Sequence, residues 1–284
     1  MRKTSISDVT DTAAWVASYR ANESARSDAL FRDPLANRLA GELGAKIAAT
    51  TPMIGAEWYV VIRTCIIDRF IQDSIRDGVD MVINLGAGLD TRPYRLDLPA
   101  DLTWVEVDYE KIIKSKTEKL RDVRPVCQLE RIALDLSLTD ARKALFQKLN
   151  AQTKKALILT EGVLPYLAEE HVAALAHDLH AQSHFKLWIV DYFSPQFMKL
   201  AARGSRKKDM VNAPFLFAPR HWADFFRTLS WQIHSMKYMA DESRLLGRTP
   251  PYPPLLRFIF CVLPSFCLRF IEKMSGFALL ESVD

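Results

Sequence analysis

A chain of 284 residues with 49% hydrophobic and 25% charged side chains has the composition of a globular protein with ample core material. This length fits one large α/β domain with an elaborated cap, or two small domains. The net charge of +4 is too small to indicate a nucleic-acid partner. Four irregularly spaced cysteines predict reduced core residues, without disulfides or a metal site. Because Asp8 and Asp11 precede any apolar run, no signal peptide is predicted, and we expect a cytoplasmic protein.

The first part of the chain, residues 1–78, is predicted to be helical and to precede a sheet. Apolar side chains recur at helical spacing over residues 60–71. Gly78 follows this run and is typical of the end of a helix. We therefore predict a helical N-terminal extension.

Apolar segments after this extension alternate with helical ones. The predicted strands cover residues 81–85, 103–107, 131–135, 156–161 and 187–191, and the predicted helices cover residues 108–122, 138–150 and 169–182. This alternation predicts a parallel sheet covered by helices on both faces, with ligands at the carboxyl ends of the strands.

The alternation ends near residue 195. Residues 195–219 are predicted to form a lid or cap insertion, and Pro219 is typical of the first turn of the helix expected next. Residues 231–238 and 277–281 are predicted to be a terminal antiparallel pair of strands.

The segment 255–270 is strongly apolar but contains Arg257, Pro264 and Arg269. It is too short and too interrupted to span a bilayer, so no stable membrane insertion is predicted. We predict a helical pair packed beside the ligand pocket, with a contact to a membrane surface as the alternative.

The turn after the first predicted strand is the most informative part of the chain. Gly86 and Gly88 allow a ligand to lie against bare backbone, and Asp90 and Thr91 are residue types that begin helices. A dinucleotide fingerprint needs a third glycine where Thr91 stands, which disfavours NAD. Asp108 ends the second strand about 20 residues later and is suited to bind both hydroxyls of a ribose. This pattern favours S-adenosylmethionine, and a hydride-transferring Rossmann enzyme is the alternative.

Five segments resemble motifs of the leucine carboxyl methyltransferase family, which also includes bacterial and polyketide O-methyltransferases. They are DALFRDP at 28–34, IRTCIID at 62–68, INLGAGLDTRPYRL at 83–96, VEVD at 105–108 and TEGVLPYL at 160–167. The resemblance runs from about Tyr19 to Tyr192, with a weaker match at 274–281. It implies a class I methyltransferase with a Rossmann-like α/β fold and a seven-stranded, mostly parallel sheet.

The resemblance and the predicted elements together indicate a single methyltransferase domain. We expect a helical N-terminal extension, a cofactor-binding core, a lid insertion and a C-terminal part of the sheet that carries the apolar cap segment. These parts are predicted to cover residues 1–78, 79–192, 193–220 and 221–284.

The cofactor implied by the resemblance is S-adenosyl-L-methionine. The glycine turn is expected to admit its methionine half, Asp108 to bind the ribose, and Asp135 to meet the adenine amino group. The resemblance adds Arg63 as the partner of the cofactor carboxylate, a role that suits a planar guanidinium. The alternative for Arg63 is a surface arginine on a helix. The alternative for Asp135 is an acid at the end of a strand that caps the next helix. The predicted cofactor-binding residues are Arg63, Gly86, Ala87, Gly88, Asp108, Tyr109, Asp135, Leu136 and Glu161.

The methyl acceptor is harder to predict from the residues. A carboxylate acceptor is already ionised at neutral pH, whereas a hydroxyl acceptor needs a general base. The matched motifs contain no histidine or acid placed for that role, so no catalytic base is assigned, and His221 is the histidine to test. Tyr166 and Tyr192 follow the fourth and fifth predicted strands and are the predicted walls of the acceptor pocket.

We therefore expect an S-adenosylmethionine-dependent O-methyltransferase for a carboxylate or acidic hydroxyl of a small molecule, such as a polyketide-type metabolite. Methylation of the C-terminal carboxyl group of a protein is one alternative. A non-catalytic module that binds S-adenosylmethionine is the other, because the motifs concern the cofactor and not the acceptor.

Overall fold

The computed structural model describes residues 9–50, 55–198, 215–251, 269 and 271–283. Three helices precede the sheet, as predicted: α1 (Val9–Ala25), α2 (Ala36–Thr50) and α3 (Ala56–Arg76). The apolar run predicted as helical at 60–71 lies inside α3, whose buried face includes Ile62, Ile66 and Phe70. This face packs with sheet residues in one continuous apolar cluster.

Seven strands within the described residues form one sheet in the order β3-β2-β1-β4-β5-β7-β6. They are β1 (Met81–Leu85), β2 (Thr103–Asp108), β3 (Gln128–Ala133), β4 (Ala156–Thr160), β5 (Phe185–Phe193), β6 (Trp231–Tyr238) and β7 (Ser275–Ser282). The first five strands pair in parallel, whereas β7 is antiparallel to both β5 and β6. The predicted parallel sheet and terminal antiparallel pair are confirmed.

The sheet is covered on both faces because side chains alternate along each strand. In β1, Ile83 belongs to one buried cluster and Val82 to the other. Further α-helices among the described residues are α4 (Arg92–Arg95), α5 (Glu110–Lys119), α6 (Thr139–Asn150), α7 (Glu169–His180), α8 (Trp222–Arg227) and α9 (Met239–Leu245).

Two predicted boundaries were wrong. β3 runs from Gln128 to Ala133 and not over 131–135, because β2 offers backbone partners only as far as Asp108, which lies opposite Ala133. Asp135 therefore lies in the turn beyond the strand.

The helix predicted with Pro219 in its first turn begins only at Trp222. The backbone N–H groups of Leu216 and Phe217 donate to the carbonyl of Pro165 at 2.7 and 3.2 Å. This contact holds the preceding segment extended, so the helix starts later.

The central part of the predicted lid, 199–214, and nearly all of the apolar segment 255–270 lie outside the described residues. In the ranges that the structure does describe, no helix combines the length and the apolar character needed to cross a bilayer.

Candidate functional site

A cavity of about 1200 Å³ opens where β1, β2, β4 and β5 end. The neighbours of β1 in the sheet, β2 and β4, continue the chain to opposite sides, and open parallel sheets bind ligands at such a switch point. Helices α1 and α3 contribute the facing wall, through residues such as Trp15 and Tyr59.

The glycine turn after β1 forms one edge of the cavity. Gly86 and Gly88 have φ values of 72° and 47°, in the left-handed region that favours glycine. A Cβ atom on Gly86 would lie 2.5 Å from Cγ2 of Val163, whereas one on Gly88 would lie 3.7 Å from the nearest side chain. Glycine is therefore required at position 86 by both the backbone conformation and the packing against Val163, and at position 88 by the backbone conformation alone. Ala87 lies between them and also lines the cavity.

Asp108 is buried beside this turn and lines the cavity. Its Oδ2 accepts a hydrogen bond from the Gly88 N–H and its Oδ1 accepts one from the Tyr109 N–H, both at 2.7 Å. Burial raises the pKa of the Asp108 carboxyl, and these two N–H donors oppose that rise. Each carboxylate oxygen keeps a second lone pair for a ligand hydroxyl. Tyr109 is 51% exposed and lies on the rim of the same cavity.

Asp135 and Leu136 line the cavity from the turn after β3. Asp135 Oδ1 accepts a hydrogen bond from Ser137 N–H at 2.9 Å, which stabilises the turn ahead of α6. Asp135 Oδ2 has no hydrogen bond within the described part of the chain. The Leu136 carbonyl accepts from Arg142 Nη1 at 2.6 Å, so the position of this turn is fixed from α6.

Glu161 follows β4 and joins two arginines at the floor of the cavity. Its Oε1 lies 2.8 Å from Arg63 Nε, an ion pair without the alignment of a hydrogen bond, and its Oε2 accepts from Arg92 Nη1 at 2.7 Å. Burial alone would raise the pKa of Glu161, but Arg92 and Arg63 hold it below its usual value. Arg63 also lines the cavity, and its two Nη nitrogens make no hydrogen bond to described residues.

Arg92 is a site residue to which the sequence analysis gave no role. It contacts Asp68 Oδ1 at 2.6 Å and Asp90 Oδ2 at 2.9 Å, in addition to Glu161. Asp90 was expected to begin a helix; it does accept from the Arg92 N–H at 3.0 Å, but its second oxygen belongs to this ion-pair network. The sequence signal for this network was the presence of Arg92 and three acids, Asp68, Asp90 and Glu161, in the matched motifs.

The N-terminal helices are tied to the glycine turn by a second buried group. Thr91 Oγ donates to Asp33 Oδ2 at 2.6 Å and makes no helix-capping hydrogen bond. Asp33 also pairs with Arg20 Nε at 2.9 Å, and Arg20 Nη2 donates to the Leu89 carbonyl at 2.6 Å. These contacts place α1 over the turn.

Asp191, near the end of β5, was also missed. It is 3% exposed, and its Oδ2 accepts from the Gly162 N–H at 2.9 Å. Burial raises the pKa of Asp191 to about 7, against the opposing effects of Arg63 and the Gly162 N–H. The signal in the sequence was an acid within an apolar strand, which needs a reason to be there.

The two predicted tyrosines have different surroundings. Tyr166 lines the cavity, with its ring centroid 5.3 Å from that of Phe215. Tyr192 does not line it and packs edge-on against Trp222 at 5.2 Å. The structure does not bring Tyr192 to the cavity, because β5 extends to Phe193, so alternation turns Tyr192 away and brings Phe193 to the cavity.

The strand order and the cavity at the switch point define a Rossmann-like α/β fold, and solved structures share it. A DUF574 family protein from Streptomyces avermitilis has a TM-score of 0.60 at 11% identity, with 96% of this chain and 97% of that one covered. A crystal structure from Thermobifida fusca, of a protein named "putative methyltransferase", has a TM-score of 0.56 at 14% identity and covers 95% of this chain and 94% of that one.

The sequence comparisons identify the family. The model of the leucine carboxyl methyltransferase family matches residues 13–180, and this chain belongs to that family. A Streptomyces avermitilis relative named "Putative S-adenosyl-L-methionine-dependent methyltransferase" is 35% identical over an alignment of 187 residues that covers 62% of this chain and 66% of the relative. A Mycolicibacterium smegmatis relative with the same name is 28% identical over 280 residues, with 87% and 88% of the two chains covered. The match to the first relative thus spans just under two thirds of its length.

Proposed function

We propose that this protein is an S-adenosylmethionine-dependent O-methyltransferase that acts on a carboxylate or acidic hydroxyl of a small molecule, such as a polyketide-type metabolite. The observation that carries the proposal is the meeting of three groups in one cavity: the glycine turn, the Asp108 carboxylate and the open side of Arg63. A cytoplasmic location belongs to the same proposal.

The residues present fit the cofactor part by part. The Arg63 Nη nitrogens offer paired donors to a carboxylate. Asp108 has lone pairs for two ribose hydroxyls, and Asp135 Oδ2 can accept from an adenine amino group while Leu136 and Tyr109 contact the ring system. Glu161 holds Arg63 in position through its Nε and leaves the Nη side open.

S-adenosylmethionine, when bound, supplies a methyl group that is already activated by the sulfonium sulfur. The acceptor oxygen gains this methyl group, and the electron pair of the broken C–S bond stays on sulfur. The protein's part is to align the acceptor oxygen with that bond and to exclude water. Helix α1, held over the cavity by the Arg20–Asp33–Thr91 contacts, and helix α3 beside it are suited to exclude water.

The surroundings of the cavity support an acidic hydroxyl acceptor over a carboxylate. Its four described arginines are each already paired with a carboxylate: Arg20 with Asp33, Arg63 with Glu161, Arg92 with Asp90 and Arg142 with Asp178. A second buried anion would compete with these pairs for positive charge.

No histidine base is needed in this proposal. All six histidines lie in the described residues, and His171 alone of them lines the cavity, while His221 lies at the start of α8 outside the lining. An acceptor with an acidic hydroxyl is partly ionised near neutral pH and loses its proton to solvent.

A methyl-transfer assay with labelled S-adenosylmethionine and a panel of phenolic and carboxylic acids tests the proposal. We expect labelled methyl ethers or base-labile methyl esters of small molecules. Binding of the cofactor without any transfer would identify a non-catalytic module. Labelling of a protein C-terminus in preference to all small molecules would identify a protein carboxyl methyltransferase.

A further inference from the structure

One side of the cavity is a wall of aromatic rings. Each of these rings is half-buried and lines the cavity. They are Tyr59, Tyr166, Phe193, Phe197 and Phe215, which we call the aromatic wall.

The rings of the wall are arranged around Phe193. Its ring lies within 22° of parallel to Phe197 at 4.9 Å, to Phe215 at 5.6 Å and to Tyr59 at 6.2 Å, measured between centroids. Every stacked pair among the described residues includes Phe193. The aromatic pairs around Trp188 in the core cross instead at 68° and 85°. Rings nearly parallel to Phe193 are therefore a feature of this wall, within which Tyr166 is tilted by 47° to Phe215, and a flat ligand can extend the stack.

The aromatic wall begins beside the groups that would hold the methionine half of the cofactor. Tyr59 precedes Arg63 by one turn of α3, and the Arg63 Cζ lies 5.8 Å from the Tyr59 ring centroid. Phe193 follows Asp191 by two residues on the same side of β5. A molecule that stacks on this wall would thus lie next to the methyl group to be transferred.

The charge of this region adds a second constraint on the kind of acceptor that can bind. Among the described residues, Arg63 contacts the wall at Tyr59, and it already pairs with Glu161, while the neighbouring Asp191 is itself an acid. A carboxylate on the ligand would bring a full negative charge to an apolar surface beside two acids, whereas a ring hydroxyl, which is only partly ionised near neutral pH, would bring less charge.

We propose that the acceptor is a planar aromatic ring system that carries its methyl-accepting oxygen as a ring hydroxyl and stacks on the aromatic wall. This inference rests on the proposed function. The ring oxygen forms the new O–CH3 bond, the C–S bond breaks with its electron pair on sulfur, and the hydroxyl proton passes to solvent.

A matched set of acceptors tests this proposal: 2-naphthol, its saturated counterpart decahydro-2-naphthol, and 2-naphthoate. Titration calorimetry with the protein saturated with S-adenosylhomocysteine measures binding, and mass spectrometry after addition of S-adenosylmethionine detects the methyl ether or ester. We expect 2-naphthol to bind at least about ten-fold more tightly than its saturated counterpart, and to give the methyl ether at about pH 9, where part of this phenol is ionised.

Phe193→Leu should weaken 2-naphthol binding by about three- to ten-fold, the contribution of one aromatic pair. Phe215→Leu, in a segment outside the sheet, should act in the same direction and guards against a folding defect in the β5 variant. Tyr192→Leu is the matched control, because it removes a ring from the neighbouring position on the other face of β5.

Equal binding of the flat and saturated alcohols would overturn the proposal, as would methylation of 2-naphthoate in preference to 2-naphthol. Failure of both alcohols to bind to protein that binds S-adenosylhomocysteine would also overturn it. Failure of S-adenosylhomocysteine itself to bind would instead contradict the proposed function.

Discussion

At the scale of single residues, the site depends on a few side chains whose charges are held by backbone donors or by ion pairs. Asp108 is fixed by the N–H groups of Gly88 and Tyr109, so it faces a ligand without needing to rearrange. Preorganised groups of this kind bind with little loss of conformational freedom.

Asp108→Ala should weaken S-adenosylmethionine binding by about 2–3 kcal/mol, because charge-assisted hydrogen bonds to the ribose are lost. Titration calorimetry measures this change directly. Asp101→Ala, at an exposed turn residue before β2, is the control and should bind as the unaltered protein does. An unchanged dissociation constant in Asp108→Ala would remove this residue from the site.

Gly86→Ala should destabilise the fold more than Gly88→Ala, although both glycines have positive φ. Only the Gly86 Cβ would clash, at 2.5 Å from Val163 Cγ2, and overpacking costs about 1–3 kcal/mol. The midpoints of thermal unfolding of the two variants give the comparison. The double variant Gly86→Ala with Val163→Ala should recover part of the loss, and no recovery would mean that backbone strain alone is responsible.

Asp191 should make the protein less stable as the pH rises from about 4 to 7. Burial raises its pKa to about 7 from an ordinary value of 3.8, so the folded state holds a proton that the unfolded state releases in this range. Urea unfolding at pH 5 and pH 8 measures the effect. Asp191→Asn keeps an acceptor for the Gly162 N–H and should show a smaller loss between these two values. An identical loss in both proteins would assign the pH dependence to other groups.

At the scale of secondary-structure elements, the apolar patterns predicted the strands and helices of the core, while tertiary contacts set their ends. β3 ends where its partner β2 ends, and α8 is delayed by the contact of Leu216 and Phe217 with Pro165. Neither partner is visible from local sequence, so these boundaries could not be predicted.

The positions of the predicted site residues also depend on where the strands end. Gly86, Asp108 and Glu161, which lie at or directly after strand ends, were predicted from the sequence and line the cavity, because a strand end fixes their position. Tyr192 does not line the cavity because β5 continues through it, and Asp191 was not predicted for the same reason. Contacts over long sequence distances, such as Thr91 with Asp33, had no local signal.

Thr91→Val should loosen α1 from the glycine turn, because Asp33 loses a buried hydrogen-bond donor while the side-chain volume is kept. We expect a loss of about 1–3 kcal/mol in the free energy of unfolding, measured by urea denaturation. Thr228→Val, at an exposed threonine that follows α8, is the control. Equal stability of the two variants would show that the Asp33 contact does not hold the helix.

At the scale of the whole molecule, distant parts of the chain meet around the cavity. Arg248 Nη2 lies 2.8 Å from Glu23 Oε1 of α1, and Trp58 Nε1 donates to the Arg248 carbonyl at 2.9 Å. Pro250 and Pro251, just beyond, line the cavity together with α1 and α3. Strand ends, the turns that follow them and Arg63 of α3 supply the proposed cofactor-binding residues, and the N-terminal and C-terminal segments close around the proposed acceptor side.

A crystal structure of the protein with S-adenosylhomocysteine would show where the cofactor binds. We expect both ribose hydroxyls within about 2.6–3.2 Å of the Asp108 oxygens and the ligand carboxylate on the Nη side of Arg63, with the sulfur facing the aromatic wall. A ligand bound elsewhere, or bound in this cavity with its ribose away from Asp108 and its carboxylate away from Arg63, would contradict the proposed cofactor site.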